Sequence, residues 1–431
     1  MNRALKVLWD SDRVGTLRLD EHGDMVFSYD QTWFEDPTKL AISASLPKQA
    51  DPFGRRASRP FFAGLLPDEH QRAGAARVLG VSKGNDFALL DALGGDVAGA
   101  LVLWPEGDDP PAPSKTDPRM LDGAELTSLL DELPRRPMLA GETKLRLSLA
   151  GAQPKLPVVL VKNQVALPGL GQPTTHILKP ALQDYPGTTE NEAFCLRLAV
   201  AVGLSAAPVE PRRVGERTFV LVERYDRAKT DNATFRRIHQ EDFCQALGIA
   251  PECKYASEGG PGFKASFDLV RRVCVRPAVD VLRLLDAAIF NVIIGNADAH
   301  GKNFSLLYRP TGPTLAPLYD LMATIIYPEI SAKLAMKFAK MSAIENLDRR
   351  VWSKFASDIG VSGPFVLRRV PELCRKVVNS CPSVVQRIAD EGFAGDMLDL
   401  IAATVQERAL ALGAMLDSGL SAKDAAAGKA A

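Results

Sequence analysis

The sequence predicts an α+β chain: a β-rich N-terminal subdomain, a strand-rich lobe, and then a helical lobe. Three observations predict it. KVLWDSDRVGTLRLDEHGDMVFSYD alternates apolar and polar residues around the turn clusters DSDR and EHGD, the pattern of a β-meander. WPEGDDPPAPSKTDP, rich in Pro, Asp and Ser, separates this region from the rest as a linker. Short β-type runs follow it, and helical patterns dominate from about residue 344 onward. A length of 431 residues accommodates two or three domains, each with its own core. The boundaries expected are 1–105 for the N-terminal subdomain, 106–118 for the linker, 119–235 for the strand-rich lobe, 236–417 for the helical lobe and 418–431 for a disordered tail.

In chain order, FFAGLLPDEHQRAGAARVLG is expected to be helical, and ALLDALGGDVAGALVLW to end in a strand. LRLSLAGAQPKLPVVLV has the form strand, small-residue turn, strand. THILKP is a short strand carrying Lys179. TTENEAFCLRLAVAVG is a helix whose ends are marked: Thr189 and Glu192 have capping-box spacing, and Gly203 is a C-terminal stop. RTFVLVERYDR is a strand running into a polar turn. QEDFCQALG starts a helix, PAVDVLRLLDAAIFNVIIG forms a long buried one, and NFSLLY with TLAPLYDL makes a short hairpin. No internal repeat is evident.

Composition excludes several classes. Formal net charge is zero, so the basic excess of a free-standing nucleic-acid binder is missing. The cysteines (Cys195, Cys244, Cys253, Cys274, Cys374, Cys381) form no CxxC pair, and several sit in apolar surroundings, as reduced core thiols do. The N-terminus has no long apolar segment, and VLRLLDAAIFNVIIG is broken by Arg283 and Asp286. A cytoplasmic protein with no membrane partner is expected.

The chemistry concentrates in NADAHGKNFSLLY, which holds Asp298, His300, Lys302 and Asn303 between two apolar elements. Asp298 and Asn303 frame D-A-H-G-K-N, and Asp320 follows in APLYDLMAT after a hairpin-length gap. Phosphoryl transfer from ATP needs such a set: an acid to orient and deprotonate a hydroxyl, and oxygen ligands for Mg²⁺. D-x4-N also arises by chance, and both residues favour turns. Other parts in order strengthen the kinase reading. Lys179 precedes a helix with the early acid Glu192, an arrangement that contacts phosphates and pairs lysine with acid. Glu192 equally suits a capping box, and Lys179 a solvent-reaching strand lysine. In LSLAGAQPKL, Ser148, Ala150, Gly151 and Gln153 have the small-residue character that lets backbone amides approach phosphate, or make a plain hairpin turn. In VERYDR, Glu223 and Tyr225 are candidates for an adenine-binding edge, or an exposed acid and a packed ring.

Taken together, FFAGLLPD, LSLAGAQPK, THILKP, NEAFCLRLA, VERYDR, RIHQEDFCQALG, NADAHGKNFSLL and APLYDLMAT resemble the HipA-type serine/threonine kinase toxins of bacterial type II toxin–antitoxin modules. The resemblance implies a two-lobed protein-kinase-like fold with an added N-terminal β-rich subdomain. It implies Asp298 as catalytic base, Asn303 and Asp320 as Mg²⁺ ligands, Lys179 on the ATP phosphates, and Glu223 and Tyr225 at the adenine hinge. Glu192 would be the ion-pair partner of Lys179, and His300 and Lys302 would steady the loop or meet phosphate. Ser148 would be an inhibitory autophosphorylation site in a phosphate-binding loop.

The resemblance further implies a helix-turn-helix, HipB-like antitoxin as partner, with DNA reached only through it. It also implies a protein substrate of the aminoacyl-tRNA synthetase type. Pro154 departs from the family pattern and removes a backbone donor from the loop; Ala297 and Gly301 vary the catalytic stretch. A small-molecule or lipid kinase, suggested by D-x-H-x-x-N, and a catalytically silent antitoxin-binding co-repressor stand as alternatives.

Overall fold

A computed structural model describes residues 3–110, 117–142, 145–231 and 234–418. The chain falls into two compact units: Met1–Pro180 with Arg212–Cys253 and Ser305–Ala316, and Ala181–Pro211 with Lys254–Phe304 and Pro317–Ala431. Much of the linker and nearly all of the expected tail lie outside the described residues. Among the described residues no helix is long and apolar enough to cross a membrane.

The first unit opens with the expected meander. Ala4–Trp9, Asp12–Leu19 and Met25–Tyr29 pair antiparallel in sequence, and Leu101–Pro105 adds to the free side of Ala4–Trp9. The apolar face closes over Leu5, Val7, Leu17, Phe27, Phe61 and Phe62, all fully buried. FFAGLLPDEHQRAGAARVLG is two helices rather than one. Arg55–Ala63 stops at Gly64, and Glu69–Leu79 starts after Pro67, which has no N–H to donate and disfavours a helical Leu66.

A second antiparallel sheet runs in the order Arg119–Met120, Gln164–Leu167, Leu156–Val161, His176–Pro180, Arg217–Glu223, Val209–Val214. LRLSL is not a paired strand of this sheet, contrary to its alternation. It makes a single parallel bridge at Leu147 to Asp96. QEDFCQALG yields only the short helix Phe243–Ala246, capped by Asp242 and Gln245 and preceded by the strand His239–Asp242. That strand pairs with Ser305–Arg309, which pairs in turn with Gly312–Leu315. The second of these pairs is the expected hairpin.

A buried ionic cluster ties the first unit together. Asp96 accepts from Arg227 and Arg237 at 2.9 Å each, from Arg224 at 3.3 Å and from the Thr174 hydroxyl at 2.6 Å. Asp226 accepts from Arg224 and from the Gly99 amide. Burial by itself would raise the Asp96 carboxyl, but the three guanidiniums and Thr174 outweigh it and hold it well below the usual carboxylate range. Arg227, buried and crowded by Arg224, is lowered to about 10.

The second unit is mainly helical: Thr188–Ala201, Phe263–Val273, Pro277–Ile294, Arg349–Asp358, Gly363–Ile388 and Asp396–Ser418. The helix Thr188–Ala201 ends as expected, with Gly203 at φ +92. Its start differs. The N-cap is Gly187 in the left-handed region, and Thr188 turns its hydroxyl back to accept from the Leu182 amide at 3.0 Å. Thr189 and Glu192 therefore lie inside the helix and form no capping box. The hairpin Lys333–Phe338 with Met341–Ala343 was not expected from the sequence. The six cysteines are free, and all but Cys253 are buried.

Two measurements follow from the first unit. Asp96→Asn leaves three buried guanidiniums facing one fewer carboxylate, and we expect a loss of about 3–5 kcal/mol in urea unfolding; a loss under about 1 kcal/mol would show the cluster to be dispensable. The second concerns pH. Glu241 is buried and accepts from Ser43, the Ala44 amide and Tyr308. Burial outweighs these donors and pushes its carboxyl up to about 7. The folded state then holds this proton more tightly than the unfolded chain does. Its contribution to stability is full at low pH and is lost as pH rises from 4.5 through about 7. Buried His239, lowered to about 4 by desolvation, works in the opposite sense between about 4 and 6.5. Glu241→Gln should therefore make thermal stability climb more steeply with pH across that window; a slope equal to the parent's would refute the assignment.

Candidate active site

In the second unit, the helix Pro277–Ile294 delivers the polar stretch. It ends at Gly295 with φ +72, and the chain turns sharply into residues 296–303. Neutral hydrogen bonds fix that turn. Asn296 donates to the Asn291 side chain at 2.8 Å, and the Ala297 amide donates to the Thr324 hydroxyl at 2.8 Å. Thr324 donates in turn to the Gly295 carbonyl at 3.1 Å. Around Asp298 the loop is buried: Ala297, Ala299, His300, Lys302 and Asn303 are all below a tenth exposed. Asp298 is exposed. Its carboxylate accepts from the Tyr255 hydroxyl at 2.8 Å, and the Tyr255 ring meets His300 edge-on at 5.1 Å.

The same turn carries Asn303 to Asp320. The His300 amide donates to Asn303 Oδ1 at 3.0 Å. Because an amide N–H must face the carbonyl oxygen, this bond orients the Asn303 side chain and turns Nδ2 toward Asp320, which accepts at 3.0 Å. Tyr319, beside Asp320, donates to the Lys302 carbonyl at 2.6 Å. Asp320 has φ +57, a left-handed conformation uncommon for a residue with a side chain and sustained only where its surroundings hold it. Asp298, His300, Asn303 and Asp320 are thus linked through one chain of contacts.

Asn191, which the sequence reading passed over in favour of its neighbour Glu192, holds the segment after Asp320. It is fully buried. Its Oδ1 accepts from the Ala323 amide at 2.8 Å, and its Nδ2 donates to the Ala323 carbonyl at 3.2 Å and to the Tyr327 hydroxyl at 3.3 Å. On the other side of Asp320, Leu318 is bracketed by Ser205 and Ala207 through backbone bonds of 2.8 Å. The segment is gripped at both ends. Glu192 is buried on the same helix.

The first unit holds the other candidates. Lys179 is 5% exposed and lies opposite Val220 in the sheet, so it is not a solvent-reaching strand lysine. Glu223 is exposed at a strand end opposite His176. Tyr225 is partly buried and its hydroxyl donates to Gln240; burial raises it well above the usual phenol range. Ala150, Gly151 and Gln153 lie in the irregular stretch before Leu156–Val161, with Gly151 at φ +113. Lys155, buried and missed by the sequence reading, closes this stretch by donating to the Ala150 carbonyl at 2.9 Å. Ser148 is fully buried, its hydroxyl donating to the Leu65 carbonyl at 2.7 Å. The Asp68 amide donates to the Gly151 carbonyl, and the Ser148 amide to Asp96. The N-terminal subdomain therefore holds the loop at three points.

Asp320 offers Mg²⁺ a carboxylate oxygen directly, whereas Asn303, whose Oδ1 accepts from the His300 amide while Nδ2 faces Asp320, would have to turn its amide over to add an oxygen ligand. The ion takes hard oxygen ligands, needs only one or two protein carboxylates, and completes its octahedron with water and phosphate. Among the described residues no cluster of three or more His, Cys, Asp or Glu forms a denser cage. From the Asn191 contacts we expect Asn191→Ala to cost about 2–4 kcal/mol, through an unpaired Ala323 amide and carbonyl. Hydrogen exchange at residues 320–324 should speed up; unchanged protection there would mean that Asn191 does not hold the segment.

Comparison with known proteins shows the family. The HipA-like C-terminal domain model matches residues 147–385, and the HipA N-terminal domain model matches residues 5–104. The chain is 56% identical over 393 residues to the putative kinase Y4mE of Sinorhizobium fredii, covering 90% of this chain and 92% of that one. It is 29% identical over 386 residues to the serine/threonine-protein kinase toxin HipA of Shewanella oneidensis, covering 86% and 87%. The solved complex of Shewanella oneidensis HipA with HipB and its operator DNA matches with a TM-score of 0.85 at 26% identity, over 96% of this chain and 98% of that one. The α+β fold is accordingly kinase-like, and the chain belongs to the HipA family of serine/threonine-protein kinases.

Proposed function

We propose that the protein is an ATP- and Mg²⁺-dependent toxin kinase that phosphorylates a protein hydroxyl, with Asp298 as the base. The observation that carries this reading is the Tyr255 hydroxyl, 2.8 Å from the Asp298 carboxylate. That is the distance and donor type a general base needs for a substrate serine. The one exposed acid of an otherwise buried loop already binds a hydroxyl, and the Asn303–Asp320 pair is linked to it through His300.

Each remaining residue has a role in this reading. Asn303 and Asp320 hold Mg²⁺, which neutralises charge on the transferring phosphate when bound. Lys179 supplies a desolvated ammonium for the ATP phosphates, with Glu192 as its ion-pair partner. The backbone around Ala150, Gly151 and Gln153 donates to phosphate, with His300 and Lys302 assisting from the loop. Glu223 and Tyr225 mark the adenine edge. Ser148 is the autophosphorylation site. Its hydroxyl is buried against Leu65, so the loop must leave that position before and after modification, which switches the kinase off. The substrate is a translation-related protein of the aminoacyl-tRNA synthetase type. The partner is a HipB-like helix-turn-helix antitoxin, through which DNA is reached; the Shewanella oneidensis structure is a complex of HipA, HipB and operator DNA. The site favours a protein hydroxyl over a lipid or metabolite because the family resemblance spans both matched domain models.

The test uses purified protein, labelled ATP, Mg²⁺ and cell lysate, beside Asp298→Asn. We expect label on protein bands and on Ser148, reduced at least about a thousandfold in the variant. Label confined to a lipid or metabolite fraction would overturn the protein-kinase reading of the substrate. Equal labelling by Asp298→Asn would remove Asp298 as the base.

A further inference from the structure

The loop bearing Asp298 begins where the helix Pro277–Ile294 stops. A helix C-terminus leaves carbonyls without intrahelical donors and carries partial negative charge. Here a side chain from the helix Asp396–Ser418 meets them. Arg408 donates through Nη2 to the Val292 carbonyl at 2.8 Å and through Nε to the Ile293 carbonyl at 3.3 Å. The guanidinium also lies against Gly295: a Cβ there would come within 3.1 Å of Arg408 Nε and would run into the Ile325 side chain. Gly295 thus meets two demands, the left-handed turn and the close approach of Arg408. Burial lowers the Arg408 pKa from its ordinary value, with Glu345 acting the other way. Arg408 lies outside residues 147–385, the stretch matched by the C-terminal family model.

We propose that Arg408 is a positioning residue for Asp298, fixing the point at which the helix Pro277–Ile294 gives way to the loop. The inference rests on the reading of Asp298 as the base. The connection from Arg408 to the carboxylate is short and continuous. Arg408 holds Val292 and Ile293. The Asn296 amide donates to the Asn291 carbonyl at 2.9 Å, in the same last turn. Asn296 Oδ1 then accepts from the Asp298 amide at 3.2 Å. If the last turn unwinds or continues, Asn296 moves, and Asp298 moves with it. A shift of about 1 Å at a reacting group costs about a hundredfold in rate. Arginine suits the task better than lysine, because its planar fork addresses two successive carbonyls at once.

The experiment compares the full-length parent with Arg408→Met, which keeps an apolar stem and removes every donor, and Arg408→Lys, which keeps one charged donor. Phosphotransfer kinetics and hydrogen exchange are both measured. We expect Arg408→Met to lower kcat by about tenfold to a hundredfold with KM for ATP within about twofold, and Arg408→Lys, with one donor in place of the fork, to recover only part of the loss. Amides of residues 295–298 should exchange faster in Arg408→Met while the helix Asp396–Ser418 keeps its protection. Parental kcat together with parental exchange at residues 295–298 would overturn the proposal. Global loss of protection in both variants would overturn it too, by making Arg408 a determinant of the fold. Exchange needs no activity. A parent chain that transfers no phosphate would therefore sink the reading of Asp298, while the exchange data would still decide the role of Arg408.

Discussion

The first unit depends on Asp96. A single buried carboxylate meets three guanidiniums, and each arrives from a different part of the chain's return path: the end of the strand Arg217–Glu223, the turn after it, and Arg237. Its backbone is engaged as well. The Asp96 amide donates to the Arg146 carbonyl, and its carbonyl accepts from the Ser148 amide. One residue of the N-terminal subdomain thus sets the position of the loop at 146–151 and of the polar turn after Glu223. Two carboxylates cannot neutralise three arginines. The excess is spread over the carbonyls of Val97, Gly99 and Thr174, each of which accepts from Arg224 or Arg227. Such a cluster contributes less to net stability than its Coulomb energy suggests, because desolvation opposes it. Its use here is uniqueness: few other packings satisfy so many donors at once.

The second unit solves the corresponding problem with neutral groups. Asn191, Asn291, Asn296 and Thr324 hold the two segments that carry Asp298 and Asp320, all of them buried. Amides and hydroxyls lose less on desolvation than charges do, and they do not alter the field at a nearby carboxylate as an ion would. Arg408 meets carbonyls at a helix end, where a cation is favoured.

Legibility in the sequence followed the same division. Alternation found the meander, because one face of each strand is packed on Phe27, Phe61 and Phe62 and the other is not. Alternation misled at LRLSL, whose leucines pack into the core of the second sheet with Leu156, Val158 and Leu178 although the segment makes only one isolated bridge, at Leu147 to Asp96. Spacing singled out Asp298, Asn303 and Asp320, which the fold links through one chain of contacts, since the loop is contiguous and the hairpin after it short. It could not find Asn191, Tyr255 or Arg408, whose partners are far away in sequence. In VERYDR attention fell on Glu223 and Tyr225, while Arg224, Asp226 and Arg227 build the buried cluster. A run of alternating charges at a strand end was the available signal. The capping box at Thr189 and Glu192 failed because the spacing rule is silent about Gly187, whose left-handed turn starts the helix two residues earlier.

Ser148 shows what the two halves of the first unit imply when taken together. Its amide is bound by Asp96 and its hydroxyl by Leu65, and the residue has no exposed surface. A phosphate adds close to two negative charges and three acceptor oxygens. At this position it would face the Leu65 carbonyl, itself an acceptor, and would break the bond that holds the side chain in. The Asp96 bonds are to backbone and do not depend on the side chain. Modification would therefore remove the outer attachment first and leave the inner one, so that the loop would pivot at Leu147 and Ser148 and release Gly151 from Asp68. Under that proposal the ionic cluster at Asp96 would have a second use, as the fixed end about which the loop would turn.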